Sequence, residues 1–222
     1  MNPSYSPVEL QNTYAKRFAG QGEYRNRVWN ILIDEYFSRW IPATAAVLDL
    51  GCGHCEFINN VRAQRRFGMD LNPDSVRKAA PGVQVLSQNC AQPWALPEAS
   101  LDVIFTSNFF EHLFSKADLR DTLLQAKRCL RPGGRIIALG PNIRYTLGKY
   151  WDFFDHYLPL TERSLGEVLL QTGFTVEEQI PRFLPFTMAH GGQRPLWMLR
   201  LYLKIPLAWK LFGEQFLVVA IN

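Results

Sequence analysis

The run Val47-Leu48-Asp49-Leu50-Gly51-Cys52-Gly53-His54-Cys55-Glu56-Phe57 gathers an acid, two glycines, two thiols and an imidazole within seven positions. Apolar residues around Asp49 read as the end of a buried strand. The glycines let the backbone turn sharply and approach a ligand with no Cβ in the way. Phe57, Ile58 and Val61 then resume at helical spacing. Strand, glycine turn and helix together open a nucleotide-binding α/β fold. Such a turn is expected to offer backbone N–H groups to a carboxylate or phosphate. Asp49 adds a carboxylate that suits an ammonium and repels a phosphate. Cys52 and Cys55 with His54 between them also allow a zinc or redox site. With no second C-x-x-C in the chain, Cys52, Cys55, Cys90 and Cys129 read instead as small reduced thiols.

More polar groups follow at the ends of later apolar runs. Asp70, 19 residues after Gly51, can accept two hydrogen bonds from ribose hydroxyls. It can equally cap a helix starting at 73, a role that Asn72 also fits. Leu101-Asp102-Val103-Ile104-Phe105-Thr106-Ser107 ends in Asn108-Phe109-Phe110-Glu111-His112, at the switch point where open α/β sheets hold ligands. His156, in Asp155-His156-Tyr157, is the preferred candidate for a general base, with Asp152 or Asp155 to orient it. His112 and Tyr14 are the other candidates; His112 also reads as a packed side chain with one satisfied nitrogen, and His156 as a surface or loop-packing histidine. A dinucleotide fingerprint would place a third glycine where Glu56 stands, so the turn weakens an NAD assignment without excluding it.

Taken in order, these segments resemble class I S-adenosylmethionine (SAM)-dependent methyltransferases of the small-molecule, methyltransferase-11-like type. Asp49-x-Gly51-x-Gly53-x-Cys55 matches their acid-x-Gly-x-Gly-x-Gly motif, with Cys55 in the third glycine's place. The resemblance implies an enzyme that uses SAM as cofactor and releases S-adenosylhomocysteine. It gives Asp49, Gly51, Cys52 and Gly53 to the cofactor's methionine end, Asp70 and Leu71 to its ribose, and Asn89 and Cys90 to its adenine. Ser107 and His112 fall beside the methionine end and the transfer site. Asn89 stands where the family more often has Asp. Some ubiquinone-pathway O-methyltransferases bind a divalent metal on Glu-x-x-Glu-His at this position; Asn108 replaces the first Glu and removes a hard ligand, so no metal is expected. Leu130-Arg131-Pro132-Gly133-Gly134-Arg135 matches the family's structural marker before the fifth strand. The layout from Asp152 through Pro185 is also similar to small methyltransferases of bacterial cell-surface glycan pathways.

The positioning elements follow from periodicity. An amphipathic helix is predicted over 22–40, stopped by Pro42, after a short helix over 5–18. Strands at 46–50, 66–70, 83–87, 101–107 and 134–140 alternate with helices at 55–64, 73–80 and 117–130. Thr161 caps a helix ended by Gly173, and strands at 174–179 and 215–221 close the chain. The expected fold is a Rossmann-like doubly wound α/β sheet of seven strands, the last antiparallel.

The chain reads as a single methyltransferase domain: a helical cap at 1–42, a SAM-binding core at 43–181, an insertion at 182–212 and the last strand at 213–222. The insertion carries Arg182, Arg194, Arg200, Lys204 and Lys210, no acid, and six aromatic residues. That composition suits an anionic lipid or lipid-linked glycan at a membrane surface, a dimer contact, or an apolar lid. Hydrophobic residues make up 47% of the 222, enough for one sizeable core. A net charge of +4 does not by itself imply nucleic acid, and none is expected as a partner. No apolar stretch marks a signal peptide or a spanning helix, so the expected location is cytoplasmic, with the inner membrane surface as one possibility the insertion allows. The expected reaction is methyl transfer to a hydroxyl or amine of a small-molecule, glycan or lipid-linked acceptor. An NAD-dependent oxidoreductase and a SAM-binding partner without turnover are the alternatives.

Overall fold

In the computed structural model, residues 11–12, 20, 22–186 and 193–222 are described. Along the chain these form α1 (Gly22–Glu35), β1 (Ala46–Leu50), α2 (Glu56–Asn60), β2 (Arg65–Met69), α3 (Asp74–Lys78), β3 (Val83–Leu86) and β4 (Leu101–Ser107). There follow α4 (Lys116–Cys129), β5 (Leu130–Pro141), α5 (Ile143–Thr146), α6 (Glu162–Gln171), β6 (Thr175–Ile180), α7 (Leu196–Leu203), α8 (Pro206–Phe212) and β7 (Gln215–Ile221). The seven strands form one sheet in the order β3-β2-β1-β4-β5-β7-β6. β7 is antiparallel to both its neighbours, and the other pairs are parallel. The expected α/β architecture is therefore the observed one.

Strand alternation divides the interior into two layers. On one face, Leu48 and Leu50 of β1, Ile136 of β5 and Val218 of β7 pack with Leu123 of α4 and Leu165 of α6. On the other, Val47, Ile137 and Val219 pack with Trp29 and Leu32 of α1, Phe57 of α2 and Leu203 of α7. The second layer is aromatic at its centre: Phe57 stacks on Phe105 with ring centroids 3.7 Å apart, and Trp29 meets Phe105 edge-on.

Three elements differ from the periodicity by about one helical turn; the other described elements shift by at most two residues. The helix expected over 22–40 stops at Glu35, and Phe37–Trp40 form a 3₁₀ turn. Tyr36 leaves helical geometry (φ −132°), so that the consecutive Tyr36 and Phe37 are both buried. The helix expected over 55–64 ends at Asn60, where Val61 turns extended (ψ 135°) toward β2. β5 begins at Leu130 rather than 134, because Leu130 pairs with Leu101 across an irregularity in register. Most of the short helix expected over 5–18, Tyr14 included, lies outside the described residues.

The insertion joins β6 to its neighbour β7, and its prolines punctuate it: α7 begins just after Pro195 and Pro206 is the first residue of α8. α7 lies against α1. Tyr24 Oη donates to the Arg194 carbonyl, and Arg200 pairs with Glu35 at 2.8 Å. Among the described residues no helix is long and apolar enough to cross a membrane.

Candidate functional site

The glycine turn lies between β1 and α2 at the carboxyl edge of the sheet. Gly51 takes φ +74°, and a Cβ there would stand 2.3 Å from the ring of Phe109, so both conformation and space require glycine. Cys55 is itself left-handed (φ 64°), the geometry that makes glycine the usual residue at that place. Its Sγ lies 3.8 Å from Cys52 Sγ and 3.4 Å from the Ser75 carbonyl. Both thiols are buried and unbridged. Contact with Cys55 and then burial push the Cys52 thiol far up, which makes it a poor thiolate ligand or nucleophile.

The turn's amides do not face a ligand as expected from sequence. Gly51 and Cys52 N–H both bond the Met69 carbonyl, at 2.8 and 3.2 Å. Gly53 N–H donates to Asp70 Oδ2 at 2.7 Å. β2 thus closes the turn from behind, and the Asp49 carboxylate, buried and hydrogen-bonded by Ile58 N–H, lines the cavity. Burial, then the neighbouring charges of Asp70 and Glu56, raise Asp49 well above the usual carboxylate range. Three carboxylates around one turn make a site for positive charge and a poor one for pyrophosphate.

Asp70 is a clamp as well as a candidate ribose ligand. Its other oxygen accepts from Asn72 N–H at 2.8 Å, and Asn72 Oδ1 caps Asp74 N–H at 2.9 Å. Leu71 N–H also donates to this carboxylate, so of its roughly four acceptor positions about one remains for a ribose hydroxyl. Leu71 is exposed. Asn89 Oδ1 accepts from Ala91 N–H at 2.8 Å, and the buried Cys90 thiol receives Thr122 Oγ1 at 3.3 Å; the exposed Asn89 amide keeps its Nδ2 donors. Asp70, Leu71, Asn89 and Cys90 lie outside the main cavity, on the β2 and β3 side of the turn.

That cavity, about 660 Å³, runs from Asp49, Gly51, Cys52 and Gly53 past Ser107, His112 and His156 to the inner faces of α7 and α8. The histidines meet because the segment after α5 folds back onto the 3₁₀ turn Phe110–His112. Tyr157 and Leu158 N–H both bond the Glu111 carbonyl, at 2.8 and 3.1 Å. The His112 and His156 rings come to 5.0 Å between centroids, and Phe153 stacks on His156 at 4.9 Å. Asp155 goes to His112, whose Nδ1 is 2.7 Å from its carbonyl and 3.4 Å from its carboxylate. Asp152 is exposed. The orienting acid foreseen for His156 thus reaches His112, on the Nδ1 side of its ring. Glu111, His112 and His156 hold ligand-type atoms within 4.8 Å of one another. One carboxylate and two imidazoles would suit a transition ion better than magnesium. Asn108, in the position of the relatives' first Glu, sits in a left-handed turn (φ 49°) with its amide on Ser107 Oγ.

Among the lining residues that were not foreseen, two polar ones stand out. Arg25 of α1 pairs with Glu56 at 2.9 Å and, with Arg194, supplies the arginine charge among the cavity's described lining. Its only sequence signal was a place on the polar side of an amphipathic helix. Gln215 opens β7. Its Nε2 is fixed on the Pro185 and Phe186 carbonyls at 2.9 and 2.6 Å, which sets the amide's orientation. Its Oε1 is buried with no partner among the described residues, an acceptor that a donor in the cavity would satisfy.

A family model described as "Methyltransferase domain" matches residues 22–179. A protein of Mycolicibacterium smegmatis named "Probable S-adenosylmethionine-dependent methyltransferase" is 32% identical over 159 residues, which are 66% of this chain and 60% of that one. A Mycobacterium tuberculosis protein of the same description is 27% identical over 170 residues, 70% of this chain and 61% of its own length. The chain thus spans about three-fifths of these relatives. Among solved structures, a SAM-dependent methyltransferase from Archaeoglobus fulgidus superposes with a TM-score of 0.67 at 20% identity, over 92% of this chain and 99% of that one. The methyltransferase in a complex with the Haloferax volcanii Trm112 activator gives 0.70 at 17% identity, over 98% and 97%. At these identities the superpositions speak for the fold.

Proposed function

The chain belongs to the class I SAM-dependent methyltransferases, and on that footing we propose that it transfers the methyl group of SAM by in-line displacement to a hydroxyl or amine of an acceptor held in the cavity. The observation that carries this reading is the cluster of acidic side chains around the glycine turn. Asp49, Asp70 and Glu56 surround a loop whose Gly51, Cys52 and Gly53 amides are already bonded, an arrangement suited to the ammonium and sulfonium of SAM and hostile to the pyrophosphate of NAD. The whole chain would act as one domain, with the core at 43–181 holding SAM and the segments 1–42 and 182–212 enclosing the acceptor.

SAM supplies an electrophilic methyl on sulfur, and the protein's part is positioning and proton removal. Asp49 would take the ammonium, Gly51, Cys52 and Gly53 would shape the turn, and Ser107 and His112 would border the methionine end. Asp70 and Leu71 would meet the ribose, and Asn89 and Cys90 the adenine. With the turn's amides bonded inward, Arg25 is the group suited to the methionine carboxylate. The Arg25→Gln variant is expected to bind S-adenosylhomocysteine about tenfold more weakly and 5′-methylthioadenosine, which lacks that carboxylate, as well as before. Equal loss of both in calorimetry would make Arg25 a purely structural residue.

His112, with Asp155 on its Nδ1, and His156 would accept a proton from an acceptor hydroxyl, a role that their adjacent rings on the cavity wall support; Tyr14 lies outside the described residues. We propose that the pair acts without a metal. The largely apolar lining toward α7 and α8 favours a lipid-linked or otherwise apolar acceptor over a bare glycan, with peripheral membrane contact through 182–212. Two titrations and one transfer assay test the reading. SAM should bind and NAD should not, and tritium from methyl-labelled SAM should enter an extractable acceptor from a cell lysate. Binding of NAD with SAM silent would overturn the reading, and SAM binding with no labelled product from any extract would favour a partner without turnover. Turnover should survive dialysis against EDTA; its loss, restored by one divalent ion, would make Glu111, His112 and His156 a metal centre.

A further inference from the structure

The insertion's aromatic and basic residues divide by depth. Phe183 is fully buried against Tyr36 and Trp209, Tyr202 Oη donates to the Phe183 carbonyl, and Trp209 Nε1 donates to the Tyr202 carbonyl. Arg182 is held on the Gly213 and Leu211 carbonyls, and Arg200 is paired with Glu35. What remains outward is a different set. Trp197, Leu207, Leu211 and Phe212 are each more than 60% exposed, and Lys204 and Lys210 stand among them with no ion pair among the described residues. α8 buries none of its residues.

A second apolar group borders the same cavity. In the loop at 147–154, Leu147 is 71% exposed and Phe154 92%, with Trp151 beside them. This loop is tied to the insertion where Lys149 binds Glu214 at 2.6 Å, Glu214 accepts from Phe186 N–H, and Phe153 packs edge-on against Phe186. Phe153, Phe186, Trp197 and Phe212 all line the cavity. Two protruding apolar segments, basic and acid-free on the insertion side, thus frame one apolar cavity.

Isolated exposed apolar side chains are ordinary, but seven large ones on two segments that frame one cavity mark a contact surface. Lysines interleaved with tryptophan, leucine and phenylalanine on short helices suit an anionic interface, where apolar rings enter the lipid and ammonium groups stay at the headgroups. We propose that the 147–154 loop and α7–α8 together seat the protein on an anionic bilayer, with the cavity open toward the lipid so that an apolar acceptor enters it without crossing water. The fate of that acceptor rests on the methyltransferase reading above; the docking does not.

Vesicle sedimentation tests the two separately. With the full chain and vesicles of equal phosphatidylglycerol and phosphatidylcholine, binding is expected at low salt, weakening as salt rises. Vesicles of phosphatidylcholine alone should bind far less. Lys204→Gln with Lys210→Gln should lower binding to the anionic vesicles about thirtyfold. Phe154→Ser and Leu207→Ser, outside the cavity lining, should each lower it severalfold and remove part of the fluorescence blue shift from Trp151 and Trp197. All four substitutions should leave the affinity for S-adenosylhomocysteine unchanged, which also verifies folding. Absence of vesicle binding at low salt overturns the proposal. So does binding that these variants do not alter, or a self-association in free solution that they abolish, which would assign the surface to a second copy. A water-soluble labelled product with vesicle binding intact would overturn the lipid acceptor and leave the docking standing.

Discussion

An Asp49→Asn variant is expected to lose ten- to a hundredfold in SAM affinity while its cofactor-free form stays at least as stable as the parent. The loss follows from removing a charge-assisted bond to the ammonium, worth roughly 1.5–3 kcal/mol. The retained stability follows from geometry: a carboxylate buried beside Asp70 and Glu56 opposes folding when ionised, and asparagine fills its place without the charge. The pH dependence has a definite sign. Asp49 is raised in the folded protein, so the folded state holds its proton more tightly than the unfolded chain does. Cofactor-free stability from this group is fully present below the ordinary carboxylate value near about 4 and falls as pH climbs through the raised value. Asn removes that fall. A bound ammonium favours the ionised form, so SAM affinity should rise with pH through the same window and binding should release a proton. Calorimetry in two buffers of different ionisation enthalpy and thermal melts of the cofactor-free protein across pH measure both. An affinity within twofold of the parent would remove Asp49 from the cofactor site.

His156→Ala and His112→Ala are each expected to lower turnover by about a hundred- to ten-thousandfold toward a hydroxyl acceptor, the range for a positioned general base. His156→Ala should leave SAM affinity within twofold. The double variant should be little worse than the poorer single one, because adjacent rings that handle one proton act as a unit. The acid limb of the parent's pH–rate profile should vanish in the variant that removes the base. Asp155→Asn should have a smaller effect than His112→Ala, since the Asp155 backbone carbonyl still receives His112 Nδ1. Unchanged turnover in both single variants would discard the base and point to an amine acceptor, which can arrive already nucleophilic. The labelled-product assay reads this directly once the acceptor is in hand.

Much of the fold was legible because it is written locally. β4 and β7 run over the residues their apolar pattern marks, and Thr161 caps α6 on Ser164 as its type and place require. Boundaries slipped where tertiary demand overrode period, as at Tyr36, where burying two consecutive rings ended α1 early. The cofactor motif was legible for a similar reason. Gly51 and Gly53 hold positive φ, a requirement of backbone sterics that selects residue type directly. Cys55 shows its limit: the left-handed geometry persists where another residue accepts its strain.

By itself the sequence determined the order of elements, the family and the negative character of the turn, since each rests on neighbours a few residues apart. The tertiary structure decided who meets whom. It turned the Gly51, Cys52 and Gly53 amides inward onto Met69 and Asp70, and it brought Asp155 onto His112, 43 residues away. It brought Arg25 and Gln215 to the cavity from opposite ends of the chain. It also sorted one run of aromatic residues into core, cavity wall and exposed rim. No periodicity encodes those outcomes, because each is fixed by how long-range packing distributes burial and by which polar groups that burial compels to pair.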